Sequence, residues 1–154
     1  MASEEPEKRP DDTAPLFTLR DAREDDLPFI DWYASLEGMA DMPGIERIRV
    51  AVNEADQPVG FCRLQNDENG IPYVNPVVTY APWRGYGVGR ALIEEAHARF
   101  GELRLIARGT SAGFYRKLGF VDMAWEDTDQ AAASEDCDGC PYRAECNPQP
   151  MRWA

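Results

Sequence analysis

No apolar run in this 154-residue sequence approaches the roughly 20 residues that a membrane-spanning helix needs, so a helical integral membrane protein is excluded. Residues 1–15 hold no apolar segment behind a basic stretch; neither a secretory signal nor an anchor is read there, and a cytoplasmic location with no membrane partner is expected. Positive charge is scarce, with 16 Lys and Arg against 28 Asp and Glu and a net charge of -12. Such a field repels polyanions, so nucleic acid is not expected as a partner. No internal repeat is present, which removes solenoid architectures. Phosphate-loop signatures are also missing: nothing matches GxxxxGK followed by Ser or Thr, and no GxGxxG has an acid about 20 residues on.

What is there suits one soluble globular domain: 44% hydrophobic and 29% charged residues in a chain long enough to bury a core. The acidity is concentrated in the flanks, with a net -3 over residues 1–15 and -6 over 126–146, where it keeps segments solvated. Residues 1–15, rich in proline and acids, are expected to be a disordered leader. The folded domain is expected over 16–126, and residues 127–154 form a cysteine-containing tail.

Within the domain, Leu16 to Arg20 alternates as a short strand, and Asp21 stands as a helix-starting residue. Leu27, Ile30, Trp32, Tyr33 and Leu36 recur at helical spacing before Gly38. Glu46 to Val52 and Gln57 to Leu64 alternate with period two and read as a hairpin across Asn53–Asp56. Ile71 to Tyr80 is a further strand, in which Pro72 and Pro76 demand an edge, a bulge or a splayed position. Val88, Leu92, Ala96 and Phe100 mark a helix, with Glu95 and Arg99 spaced for an ion pair. Leu103–Ala107 is a strand, Thr110–Leu118 a helix ended by Gly119, and Phe120–Trp125 a last strand. The order β-α-β-β-β-α-β-α-β predicts an α/β (α+β) domain, a mixed sheet with helices on both faces.

The segment Arg84-Gly85-Tyr86-Gly87-Val88-Gly89-Arg90 lies between a strand and a helix. There the free N–H groups and the helix dipole favour an anion, and glycines let the backbone approach it. On spacing alone, a tight connection with no ligand stays open. Arg84-x-x-Gly87-x-Gly89, preceded by Val77-Val78-Thr79-Tyr80-Ala81-Pro82 and followed by Arg90-Ala91-Leu92-Ile93, resembles the acyl-CoA pyrophosphate motif of GNAT N-acetyltransferases. A second block, Phe114-Tyr115-Arg116-Lys117-Leu118-Gly119-Phe120, is similar to that family's late helix-strand element. The resemblance covers about residues 16–126 and implies a mostly antiparallel central sheet. It also implies transfer of an acetyl group from acetyl-CoA, as co-substrate, to a primary amine by direct attack. Dimerisation is common in similar proteins, so a homodimer is a further expectation, although no residue demonstrates one.

The same resemblance implies site residues. The pyrophosphate would lie on the backbone of Arg84, Gly85, Tyr86, Gly87, Val88 and Gly89, with the Arg84 and Arg90 side chains assisting. The pantetheine arm would run along the strand at Val77 and Val78, with an amide near Val78 facing the thioester oxygen. Tyr115 matches the tyrosine that protonates the departing thiolate; read from helix periodicity alone, it is a core residue. Many family members have an asparagine seven residues earlier, where this chain has Arg108. No general base is assigned: Glu24, Glu37 and Asp41 are acids of the first helical region, and the strand Ile71–Tyr80 has none.

Cys137, Cys140 and Cys146 form a C-x2-C-x5-C pattern suited to zinc or an iron-sulfur cluster, with Cys62 as the candidate fourth ligand and His97 as a weaker one. Free thiols or a disulfide are the plainer reading, and a cytoplasmic setting disfavours the disulfide. The rival function is a non-catalytic CoA-binding or metal- and redox-sensing interaction module on the same fold.

Overall fold

A computed structural model of the chain describes residues 16–128 and 143–154. The elements are β1 (Thr18–Asp21), α1 (Leu27–Leu36), β2 (Ile48–Val52), β3 (Pro58–Asn66), β4 (Pro72–Thr79), α2 (Val88–Phe100), β5 (Leu103–Ala107), α3 (Ala112–Leu118), β6 (Val121–Asp122), a single helical turn α4 (Arg143–Cys146) and β7 (Gln149–Trp153). The seven strands form one sheet in the order β1-β2-β3-β4-β5-β7-β6. Every ladder is antiparallel except β4 with β5.

Alternation along β2 divides its side chains between the two faces, as the period of a strand requires. Ile48, Val50 and Val52 join Ile30, Tyr33 and Ala34 under α1. Ala51 joins Leu92, Ile93 and Ala96 under α2. Helix α1 is pinned by Tyr33, whose hydroxyl donates to Pro58 O at 2.8 Å and whose ring stacks on Tyr80 at 4.7 Å. Asp21 belongs to β1 rather than to a helix start. A 3₁₀ turn at Glu24–Asp26 leads into α1, anchored by buried Asp26, which accepts from Arg20 Nη1 at 2.7 Å and from the Arg23 amide at 2.7 Å.

On α2, the stripe Val88, Leu92 and Ala96 is buried as its spacing predicts, but Phe100 is exposed beneath the guanidinium of Arg99. The expected Glu95–Arg99 pair does not form. Glu95 instead takes a two-pronged ion pair from Arg49 of β2, at 2.9 and 2.6 Å, because a partner on the sheet beneath it binds both carboxylate oxygens.

The domain extends past residue 126. β6 is only two residues long, and β7 inserts between it and β5 with Met151 fully buried. His97 helps to hold this strand: its ring stacks on Trp153 at 3.7 Å and its Nε2 lies 2.9 Å from Ala154 O. A histidine used in this way is a packing residue rather than a metal ligand. The expected leader at 1–15, and Cys137 and Cys140, lie outside the described residues.

Candidate functional site: a splayed sheet and a glycine turn

Strand β4 carries the feature its prolines call for. Its register with β3 passes from Cys62↔Val77 to Leu64↔Val74, so Asn75 and Pro76 face the single residue Arg63 in a bulge. On the other side β4 is aligned with β5 at one position, Tyr73↔Arg104, and beyond it the strands part. The gap is a cleft of about 600 Å³. One wall is β4 from Val74 to Thr79, the other is Leu105 to Arg108, and Gly89, Phe114 and Tyr115 also line it.

A strand that loses its neighbour leaves backbone groups unpaired. The Tyr80 amide bonds to Val59 O at 2.9 Å, so along this ladder Val78 also turns its amide toward β3. Val77 and Thr79 turn theirs toward the opening. The available amides are therefore those flanking Val78, while the Val78 side chain is buried beneath α1.

The turn from β4 into α2 ends at the same cleft. Gly85 and Gly87 have φ of 89° and 85°, a region that side chains disfavour, and an added Cβ at either would meet open space. Conformation, not crowding, calls for glycine there. Gly60 answers the opposite need: a Cβ would come within 2.7 Å of Val88 Cγ1 and 3.0 Å of Val78 O, so its absence lets the first turn of α2 sit directly on β3. The Ala91 amide makes the first α-helical bond, to Gly87 O at 2.9 Å, and no side chain caps the helix. The amides of Val88, Gly89 and Arg90 thus point out of the helix end without a backbone partner among the described residues, an arrangement that favours an anion.

The arginines of the turn are otherwise engaged. Arg84 Nη2 donates to Glu37 Oε2 at 2.7 Å, and Arg90 Nε to Glu94 Oε2 at 3.0 Å. Arg108 donates from Nη2 to Glu37 O at 3.2 Å and lines the cleft. Of the three acids considered, Glu37 lines the cleft, Asp41 an adjoining cavity, and Glu24 neither.

Tyr115 is half-buried and packed edge-on against Phe114 and Phe120, with ring centroids 5.1 and 5.6 Å apart. It packs against the core, as its helical periodicity predicts, and it also lines the cleft. Burial pushes its phenol up to about 12; Cys62 adds to the rise and the Arg108 charge opposes it. Cys62 is itself buried and its thiol is pushed up to about 12, by desolvation first and the Glu95 charge second. It packs with the α2 core, whereas Cys146 lines the cavity beside Asp41 and Arg63, so the two are not brought together. Among the described residues no three His, Cys, Asp or Glu side chains could hold a metal ion.

Sequence reasoning missed the strand β7, the contribution of Arg63 and the side of β4 on which amides are free. The prolines at 72 and 76 were the available signal for the last of these.

Comparison with known proteins agrees with this geometry. Residues 45–122 match the family profile of the acetyltransferase (GNAT) domain. Peptidyl-lysine N-acetyltransferase YjaB from Escherichia coli K12 is 42% identical over 74 residues, 46% of this chain and 47% of that protein. Its counterpart from Salmonella typhimurium is 36% identical over 74 residues, covering 46% of this chain and 48% of that protein. The match thus spans about half the length of these curated relatives. Among solved structures, N-acetylglutamate synthase from Neisseria gonorrhoeae, complexed with coenzyme A and N-acetyl-glutamate, superposes with a TM-score of 0.72 at 12% identity, covering 92% of this chain and 36% of that one. Rv2747 from Mycobacterium tuberculosis, in complex with CoA, gives 0.70 at 16%, covering 89% and 98%. These two show a shared fold, and the profile match, over half of the chain, carries the assignment: a bulged β4 parting from β5 above a glycine turn is here the core of a member of the GNAT acetyltransferase family.

Proposed function

We propose that this chain transfers an acetyl group from acetyl-CoA to the primary amine of an acceptor. The observation that carries the reading is the meeting, in one cleft, of the unpaired edge of β4, the open amides at the start of α2 and the Tyr115 side chain. Acetyl-CoA supplies the acetyl group as an activated thioester.

The chain's own groups divide the remaining work. The amides of Val88, Gly89 and Arg90 hold the pyrophosphate, and the β4 edge at Val77 and Thr79 receives the pantetheine arm as an added strand. An amide on that edge donates to the thioester oxygen as negative charge develops there, and being held in place it needs no reorganisation to do so. The amine nitrogen bonds to the carbonyl carbon while the carbon-sulfur bond breaks. The Tyr115 phenol gives its proton to the sulfur, the proton shed by the nitrogen passes to solvent water, and the phenolate takes a proton back from solvent to close the cycle. Burial pushes the Tyr115 phenol up to about 12, so at neutral pH it carries the proton that the sulfur takes up as the bond to carbon breaks.

The test is coenzyme A release from acetyl-CoA by wild type and Tyr115→Phe over an amine panel. The expected result is turnover reduced about a hundredfold in the variant, in keeping with the usual contribution of a positioned acid, with acetyl-CoA affinity retained. Unchanged turnover removes Tyr115 from the reaction.

For the tail, a structural zinc or iron-sulfur site on Cys137, Cys140 and Cys146 is supported by their spacing alone. Elemental analysis of purified protein, compared with the triple serine variant, decides it.

A further inference from the structure

Next to the cofactor cleft lies a second cavity of about 540 Å³, and Asn75, Pro76, Ala107 and Arg108 line both. An acceptor resting there would reach the thioester across this shared throat. One wall is the loop from Gly38 to Pro43, which is tied back to α1 by the Met42 amide donating to Asp31 Oδ1 at 2.9 Å.

The charged side chains lining this cavity are Arg63, Arg108 and Asp41, an excess of positive charge in a chain whose net charge is -12. Most arginines among the described residues have a carboxylate within ion-pair distance, including Arg20, Arg49, Arg84 and Arg116. Arg47 and Arg99 instead lie over the ring of Phe100. Arg63 and Arg108 have no carboxylate partner among the described residues. Each gives one N–H to a main-chain carbonyl: Arg63 Nη1 to Asn75 O at 3.1 Å, and Arg108 Nη2 to Glu37 O at 3.2 Å. A guanidinium has five N–H donors, so both keep donors to spend. Arg108 lines both spaces and so stands at the throat, while Arg63 lines the second cavity and is tied toward the throat by its bond to the Asn75 carbonyl.

We propose that the acceptor is a small amine with a carboxylate next to its amino group, an amino acid in the broad sense, whose carboxylate is gripped by Arg63 and Arg108. The inference rests on the acetyl-transfer reading above and names the substrate class of that site. Two guanidinium groups match a carboxylate in charge and in planar geometry. Placed at and beside the throat, they hold it a bond or two from the nitrogen that must reach the thioester. They also disfavour a bare cationic amine, which would meet like charge at the same point.

The experiment uses the full chain with saturating acetyl-CoA, and follows coenzyme A release with the twenty free amino acids, their carboxamides and a lysine peptide with blocked ends. Calorimetric titration with acetyl-CoA is run in parallel. At least one free amino acid is expected to exceed its own amide about tenfold or more in kcat/KM, the discrimination a charge-assisted pair provides. Arg63→Gln should raise KM for that amino acid about tenfold with acetyl-CoA affinity retained, and Arg63→Lys should recover part of the loss. Amides or the blocked peptide reacting as well as the free acids would overturn the proposal, as would binding of acetyl-CoA with no turnover of any free amino acid. Failure to bind acetyl-CoA would overturn the acetyl-transfer reading itself. The acid-amide comparison needs no variant, so misfolding of Arg63→Gln would not shield the proposal.

Discussion

Arg84 Nη2 and Glu37 Oε2 lie 2.7 Å apart, joining the residue after α1 to the residue that opens the glycine turn. Arg108 reaches the carbonyl of the same Glu37 from the end of β5. Three elements that border the cleft therefore meet at one residue.

This bridge is half exposed, so it contributes little to stability, under about 1 kcal/mol. Arg84→Ala is expected to leave the thermal midpoint nearly unchanged and to lower acetyl-CoA affinity by less than about fivefold, because the proposed pyrophosphate contacts are backbone amides, not this side chain. Calorimetry on the variant checks it. A loss of two orders of magnitude would move the main anion contact to the guanidinium.

Gly87→Ala should behave differently. A side chain at φ 85° costs about 1–2 kcal/mol, and the turn relieves that strain by rotating the amides that end in the cleft. A lower unfolding midpoint together with at least tenfold weaker acetyl-CoA binding is expected, the latter equal to about 1.4 kcal/mol. Full binding by a destabilised variant would separate the turn from the anion site.

The positions legible in the sequence were those where one local rule decides the outcome. Proline at 72 and 76 forecast the break in β4, alternation forecast the β2–β3 hairpin, and Gly85 to Gly89 forecast the turn, since each follows from backbone chemistry within a few residues. The parts that were not legible depend on distant partners. β7 has five residues with a proline second among them and is a strand because Leu103–Ala107 and Val121–Asp122 offer it two free edges. Glu95 pairs with Arg49 across 46 residues, which no helical spacing announces. Arg63 reads as an outward residue of β3, and only the β4 bulge turns it into a cavity wall.

Alkaline stability tests the burial of the interior thiol. Cys62 has a folded value of about 12 against an ordinary 9.0, so the folded state keeps a proton that the unfolded chain gives up. Its contribution is complete below pH 9 and lost as pH rises toward 12. Tyr33 and Tyr115, each raised from 10.0 to about 12, add the same trend from pH 10 upward. Urea unfolding between pH 8 and 11 should show stability falling by roughly 1.4 kcal/mol per pH unit per group, and Cys62→Ala should delay the onset. An onset unmoved by the substitution would mean that the thiol is not sequestered.

Acid stability tests the Arg20–Asp26 pair. Burial alone would raise the Asp26 carboxyl, but hydrogen bonds from Arg20 and from the Arg23 amide outweigh it and hold it below 3.8. The stabilisation is present above pH 3.8 and lost as pH falls through the lower folded value. Asp26→Ala leaves the Arg20 side chain without its buried partner and is expected to cost about 3 kcal/mol at neutral pH. It should also flatten the acid limb of the stability curve in chemical denaturation. A loss below about 0.5 kcal/mol, the range of an ordinary surface change, would contradict the anchoring role.

The central claim is that the cleft between β4 and β5 receives the pantetheine arm while the glycine turn takes the pyrophosphate. Calorimetric titration with acetyl-CoA and with acetyl-pantetheine, which lacks the pyrophosphate and nucleotide, tests it most directly. The account predicts micromolar binding of acetyl-CoA, weakened a hundredfold or more for the truncated compound, about 2.7 kcal/mol. Equal affinity for the two, or no binding of either by folded protein, would contradict it.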